Sequence, residues 1–84
     1  MTDRSIVVYG TKWCGDCRVA KRVLDARGVH YTWIDIESNA TARQTVLQLN
    51  GGLQSVPTIL FPDGSVMVEP SARELQARLE KLRL

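Results

Sequence analysis

At 84 residues, 44% hydrophobic and 24% charged, the chain has the make-up of one globular domain with a modest core, which excludes a disordered segment. A net charge of +2, without clustered Lys and Arg interleaved with aromatics, argues against a nucleic-acid partner. No apolar run approaches the roughly 18–20 residues that span a bilayer, and the apolar stretch near Met1 is too short for a signal peptide, so a cytoplasmic location and no membrane partner are expected.

Ile6–Tyr9 is a short β-rich run ended by Gly10, which suits a buried central strand. From Cys14 to about Arg27 the period turns helical, with Val19, Ala20, Val23 and Leu24 as the apolar stripe and Gly28 as the closing residue. Arg18, Lys21 and Arg22, with Asp25 one turn on, form a solvated, ion-paired face of that helix. Residues 29–36, dense in β-branched and aromatic side chains, predict a second strand. Ser38 or Asn39 then caps a second helix running to about Leu49, and Asn50-Gly51-Gly52 ends it.

Residues 56–61 predict a third strand, and Phe61-Pro62-Asp63-Gly64 a tight type I reversal with Pro second and Gly fourth. Residues 65–68 return as a fourth strand, antiparallel to the third. Pro70 and Ser71 start a last helix, with Ala72, Leu75, Leu79 and Leu82 on one face. The order β-α-β-α-β-β-α predicts an α/β domain over residues 1–84. Its first unit is parallel with a right-handed crossover, and helices cover both faces of a four-stranded mixed sheet.

Both cysteines lie in Thr11-Lys12-Trp13-Cys14-Gly15-Asp16-Cys17, where the first strand hands over to its helix. Open α/β sheets keep their sites at that end of a strand. A structural staple across two residues closes too small a loop to stabilise much, and a reducing compartment disfavours it. Structural zinc needs four ligands, and two Cys with the distant His30 fall short in one chain. Electron exchange fits best. A helix N-terminus favours a negatively charged sulfur, so Cys14 is the expected nucleophile; Lys12 adds Coulombic help or is a plain solvated side chain. Cys17, rotated about 300° from Cys14, shares one side of the helix and is placed to resolve a mixed disulfide. Gly15 leaves the approach to Cys14 open. Asp16, rotated about 200°, points away from the sulfur and into solvent; it is a helix-favourable acid of the first turn, or selects against acidic partners.

A strand, Trp-Cys-x-x-Cys at a helix start, and Val56-Pro57-Thr58 before a hairpin resemble the thioredoxin fold. The short length is similar to that of the glutaredoxins. Asn50-Gly51-Gly52, Val56-Pro57-Thr58, Asp63-Gly64-Ser65 and Pro70-Ser71 most resemble their mycoredoxin branch. Asp16 stands where many glutaredoxins carry an aromatic residue, Thr11 where many carry Lys, and Val68-Glu69-Pro70-Ser71 where they carry a Gly-Gly-Asp stretch.

The resemblance implies a thiol–disulfide oxidoreductase, monomeric and without a bound cofactor or metal. Glutathione or mycothiol would be its co-substrate thiol. Its partners would be disulfide-containing or thiol-capped proteins and a disulfide reductase. It also implies a cis Val56–Pro57 bond, with the Val56 backbone offered to an extended thiol peptide as an added strand would be. The amide groups at Ser71 and Ala72 would hold a substrate carboxylate, or Ser71 acts as a plain N-cap. Trp13 packs over the shoulder of the site. Trp33 belongs to sheet packing, and His30, Arg43 and Gln44 to solvated or structural positions. Two rival readings remain: an iron–sulfur carrier shared between two protomers, and a hydrogen donor recharged by thioredoxin reductase.

Overall fold

Alternation along the first strand decides how the sheet is covered. The computed structural model describes residues 5–84, so part of the start on which the leader expectation rested, residues 1–4, lies outside the described residues. In β1 (Ile6–Gly10), Ile6 and Val8 face one side and Val7 and Tyr9 the other. The first side meets α1 (Gly15–Ala26) and α3 (Ala72–Lys81), where Ala20, Leu24, Leu75 and Leu79 join Ile59 and Phe61 in the larger core. The second side meets α2 (Ala40–Leu49), whose Ala42 and Val46 pack with Tyr9 and Ile36.

The strand order is β2-β1-β3-β4, with β2 (Tyr31–Asp35) parallel to β1. Strand β3 (Thr58–Leu60) is antiparallel to both β1 and β4 (Val66–Val68). This is the four-stranded mixed sheet read from the element order, with helices on both faces.

The elements are shorter than the sequence pattern suggests, each for a local reason. Val29 lies outside β2 because its amide donates back to the Leu24 carbonyl at 3.1 Å, while the Gly28 amide donates to the Asp25 carbonyl. Together with Gly28 at φ +68°, these bonds close α1 in a Schellman motif. Pro57 brings no amide to a ladder, and the Phe61 amide donates to the Ser65 carbonyl inside the turn, so β3 keeps only Thr58–Leu60. The turn closes as expected, the Gly64 amide donating to the Phe61 carbonyl at 2.9 Å.

One core assignment is corrected. Val19 is 37% exposed, and Cys17 takes its place on the buried face of α1 with Ala20, Val23 and Leu24. Val19 is two residues past Cys17, hence about 200° around the helix from it. The charged face is also less paired than expected. Asp25 accepts a hydrogen bond from the Tyr31 hydroxyl at 3.0 Å, and Lys21 lies 4.3 Å above the Trp33 ring.

At the helix starts, Asn39 rather than Ser38 caps α2, its side chain accepting from the Ala42 amide. Ser71 caps α3 in a reciprocal box: its hydroxyl accepts from the Glu74 amide, and its own amide donates to the Glu74 carboxylate. Hydrogen bonds from the Ser71 backbone and side chain hold that carboxylate below its ordinary value. Among the described residues no helix is long and apolar enough to cross a membrane.

Candidate active site

Cys14 is the N-cap of α1, in extended backbone conformation (φ −81°, ψ 114°). Caps are usually oxygen acceptors. Here the acceptor is sulfur: Cys14 Sγ takes the Cys17 amide at 3.1 Å. The sulfur therefore sits at the positive end of the helix, against an amide that has no partner in the first turn. Both cysteines are reduced and buried, Cys14 at 8% and Cys17 at 1% exposure.

The two thiols differ electrostatically. Burial first, then the hydrogen bond with Cys14, pushes the Cys17 thiol from about 9.0 up to about 12, against a backbone hydrogen bond at Thr11 that lowers it. Cys17 is thus protonated at neutral pH and cannot compete as the attacking group. A raised value in the fold means that the stabilisation is complete below the unfolded value and is lost as pH rises from about 9 towards 12. The reduced protein is expected to lose up to ~1.4 kcal/mol per pH unit in that window. Urea melts across this range, run on the parent and on Cys17→Ser under reducing conditions, measure it. An equal slope in the variant would remove Cys17 as the cause.

Cys14 opens on a cavity of about 510 Å³ lined by Trp13, Gly15, Asp16, Gln54, Ser55, Val56 and Glu69. Three separate loops meet there. Trp13 is 69% exposed rather than packed over the shoulder, because its indole N–H is held by the Glu37 carboxylate at 3.1 Å. Gly15 has nothing within 4 Å of where a Cβ would stand, so the approach is open on that side. Asp16 is exposed as expected, yet it borders the cavity.

Val56 is supplied by the loop before β3, and the Val56–Pro57 bond is cis. A buried polar relay fixes this loop. The Asn50 side-chain amide donates to the Thr58 hydroxyl at 2.9 Å, and that hydroxyl donates to the Ser55 carbonyl at 2.8 Å. Glu69, just past β4, donates its amide to the Pro57 carbonyl at 2.9 Å and adopts a left-handed conformation at φ +49°. Non-glycine residues take this conformation at a cost, so the surrounding contacts must hold it.

The other expected residues fall elsewhere. Lys12 is exposed and Pro57 buried, and neither lines the cavity. Ser71 does not line it either, and its hydroxyl and amide are both engaged in the α3 cap. Arg43 donates to the Ile36 carbonyl at 2.8 Å, while Gln44 and His30 are exposed. Trp33 packs against the larger core. Sequence reading missed Gln54, Ser55 and Glu69 as cavity residues and Glu37 as the partner of Trp13. Only Glu69 left a trace, as part of the stretch that replaces the glycines common after the last strand.

The glutaredoxin family model matches residues 6–67, which include the two cysteines and the whole sheet up to Met67. The chain belongs to the glutaredoxin family. This glutaredoxin is 42% identical over 82 residues to a Mycobacterium tuberculosis protein described as a glutaredoxin, with 98% of each chain covered. It is 35% identical over 78 residues to mycoredoxin 1 of Corynebacterium glutamicum, covering 93% of this chain and 96% of that one. Among solved structures, the thioredoxin-like protein BC3987 superposes with a TM-score of 0.77 at 30% identity, over 87% of this chain and 97% of that one. The glutaredoxin thus has a thioredoxin-like fold, with Cys14-x-x-Cys17 at the start of its first helix.

Proposed function

We propose that this glutaredoxin reduces protein disulfides, or mixed disulfides between proteins and a low-molecular-weight thiol, and is recharged by such a thiol. The observation that carries the reading is Cys14 at the cap of α1, with the Cys17 amide on its sulfur and an open cavity in front of it. The Cys14 thiolate attacks one sulfur of the substrate disulfide. A new S–S bond forms, and the departing thiolate leaves with the electron pair and takes a proton from solvent. Cys17 gives up its proton and attacks Cys14, or a second small thiol does, which releases the bound thiol. Two electrons pass from the two thiols to the substrate.

Trp13, Gly15, Asp16 and Val56 form the walls that meet the bound thiol, and the Val56 backbone pairs with it as an edge strand would. Pro57 shapes the Val56 loop, Lys12 stays solvated outside the cleft, and Ser71 serves as the cap of α3. Likeness to mycoredoxin 1 favours mycothiol over glutathione as the recharging thiol.

Recharging tests this directly. The oxidised chain is given NADPH with mycothiol, glutathione or thioredoxin reductase, each with its own coupling enzyme. Turnover with a small thiol is expected and identifies that thiol. Turnover only with thioredoxin reductase would overturn the small-thiol reading and make the protein a hydrogen donor.

A further inference from the structure

The cleft in front of Cys14 has a charge opposite to that of the chain. The whole sequence carries a net charge of +2. Among the described residues the cavity walls carry two carboxylates, Asp16 and Glu69, and neither lysine nor arginine. They come from different parts of the fold, Asp16 from the first turn of α1 and Glu69 from just past β4. Among the described residues neither side chain has a cationic partner across the cavity. The third carboxylate nearby, Glu37, is occupied by the Trp13 indole. Lys12, the cation adjacent in sequence, is exposed and lies outside the lining.

We infer that Asp16 and Glu69 form an electrostatic filter at the mouth of the active site, which admits thiols and disulfides without net negative charge and disfavours anionic ones. The inference rests on the exchange reading and narrows the substrate class. A ligand bound to the Cys14 sulfur occupies the cavity that these two residues line. An anion there meets like charge across a short stretch of solvent, where repulsion between surface charges still acts. Glu69 is held at its post by the Pro57 carbonyl. Its left-handed backbone keeps a costly residue where glycine would be easier. Two unpaired carboxylates facing one anion should slow its exchange by about tenfold relative to a neutral analogue.

The test uses three probe disulfides that differ in charge: anionic glutathione disulfide, neutral hydroxyethyl disulfide and cationic cystamine. Rates of oxidation of the reduced protein are measured for the parent, Asp16→Asn with Glu69→Gln, Glu69→Gln alone, and Glu80→Gln. Glu80 is exposed on α3 and outside the cavity, so its removal matches Glu69→Gln in net charge. Variant-to-parent ratios cancel the intrinsic reactivity of each probe.

The double variant is expected to gain about tenfold for glutathione disulfide relative to hydroxyethyl disulfide, and to lose ground for cystamine. Glu69→Gln should show part of this gain and Glu80→Gln much less. Salt gives an independent sign. Raising ionic strength from about 0.01 M to 1 M shrinks the screening length from about 30 Å to 3 Å. The parent rate with glutathione disulfide should then rise if the cleft repels the anion, and fall if the overall positive charge attracts it. Unchanged ratios with exchange intact, equal effects of Glu69→Gln and Glu80→Gln, or a falling salt curve would each overturn the filter while leaving the exchange reading standing. Failure of every probe with the parent would overturn both.

Discussion

Cys14→Ser is expected to abolish exchange, with a loss on the order of a thousandfold or more, because a hydroxyl at neutral pH supplies almost no anion to attack a disulfide. The structure gives no substitute nucleophile. Cys17 is 1% exposed, and burial, the main cause of its raised thiol, remains when Cys14 is missing, so it stays protonated at neutral pH and shielded. Cys17→Ser should behave differently. Cys14 keeps its place at the cap and its opening on the cavity, so the first step survives. A small thiol can then complete the cycle on thiol-capped substrates, whereas two-cysteine reduction of a protein disulfide stops at the mixed disulfide. Parallel assays on a thiol-capped protein and on a protein disulfide separate the two outcomes. Full activity of Cys14→Ser on either substrate would refute the mechanism.

Gly10→Ala should have the largest structural effect of any single methyl group added near the site. A Cβ at Gly10 would stand 2.5 Å from Cys17 Sγ and 2.6 Å from the edge of the Trp33 ring. Both distances lie well inside van der Waals contact. The sulfur is fixed by a buried helical position, and the ring is held against the core with Lys21 above it. Relief requires a shift of α1 or of Trp33. Overpacking of this kind costs about 1–3 kcal/mol. It also displaces Cys17 from Cys14, so resolution should slow more than the first attack. Urea melts read the first effect, and the rate of Cys17-dependent release from a Cys14 mixed disulfide reads the second. An alanine variant as stable as the parent would show that the packing yields without cost.

Gly10 illustrates what a sequence conceals. It reads as the residue that ends a strand, and it does end β1. Its closeness to Cys17 depends on the angle at which α1 returns across the sheet, which no local pattern encodes. The helices were legible because their apolar period and capping residues are local. Leu24, Leu75 and Leu79 fall on the buried faces that their spacing implies. Val19 misled because an apolar residue next to the true stripe is indistinguishable in composition from a member of it.

The candidate site divides in the same way. Cys14, Gly15, Asp16 and Cys17 announce themselves by adjacency at a strand–helix junction. Gln54 and Ser55 do not, nor does Glu69, since both segments are remote from Cys14 along the chain and are held beside each other by the Asn50–Thr58–Ser55 relay and the Glu69–Pro57 hydrogen bond. By sequence, Ser71 fits a carboxylate holder as well as a cap. Its reciprocal hydrogen bonds with Glu74 are those of the cap.

The sulfur cap on α1 also links the protein's redox state to its folding. When Cys14 reacts as the thiolate, its sulfur accepts the Cys17 amide more strongly than a disulfide sulfur would, so oxidation would weaken the first turn of the helix as the two cysteines join. Whatever stabilises the reduced helix in this way makes the dithiol form easier to reach and the disulfide form a better electron acceptor. The same free energy appears twice, once as a change in reduction potential and once as a change in stability between the two forms. A substitution that strengthens the start of α1 only in its reduced form would therefore shift the direction in which electrons flow, without touching either cysteine.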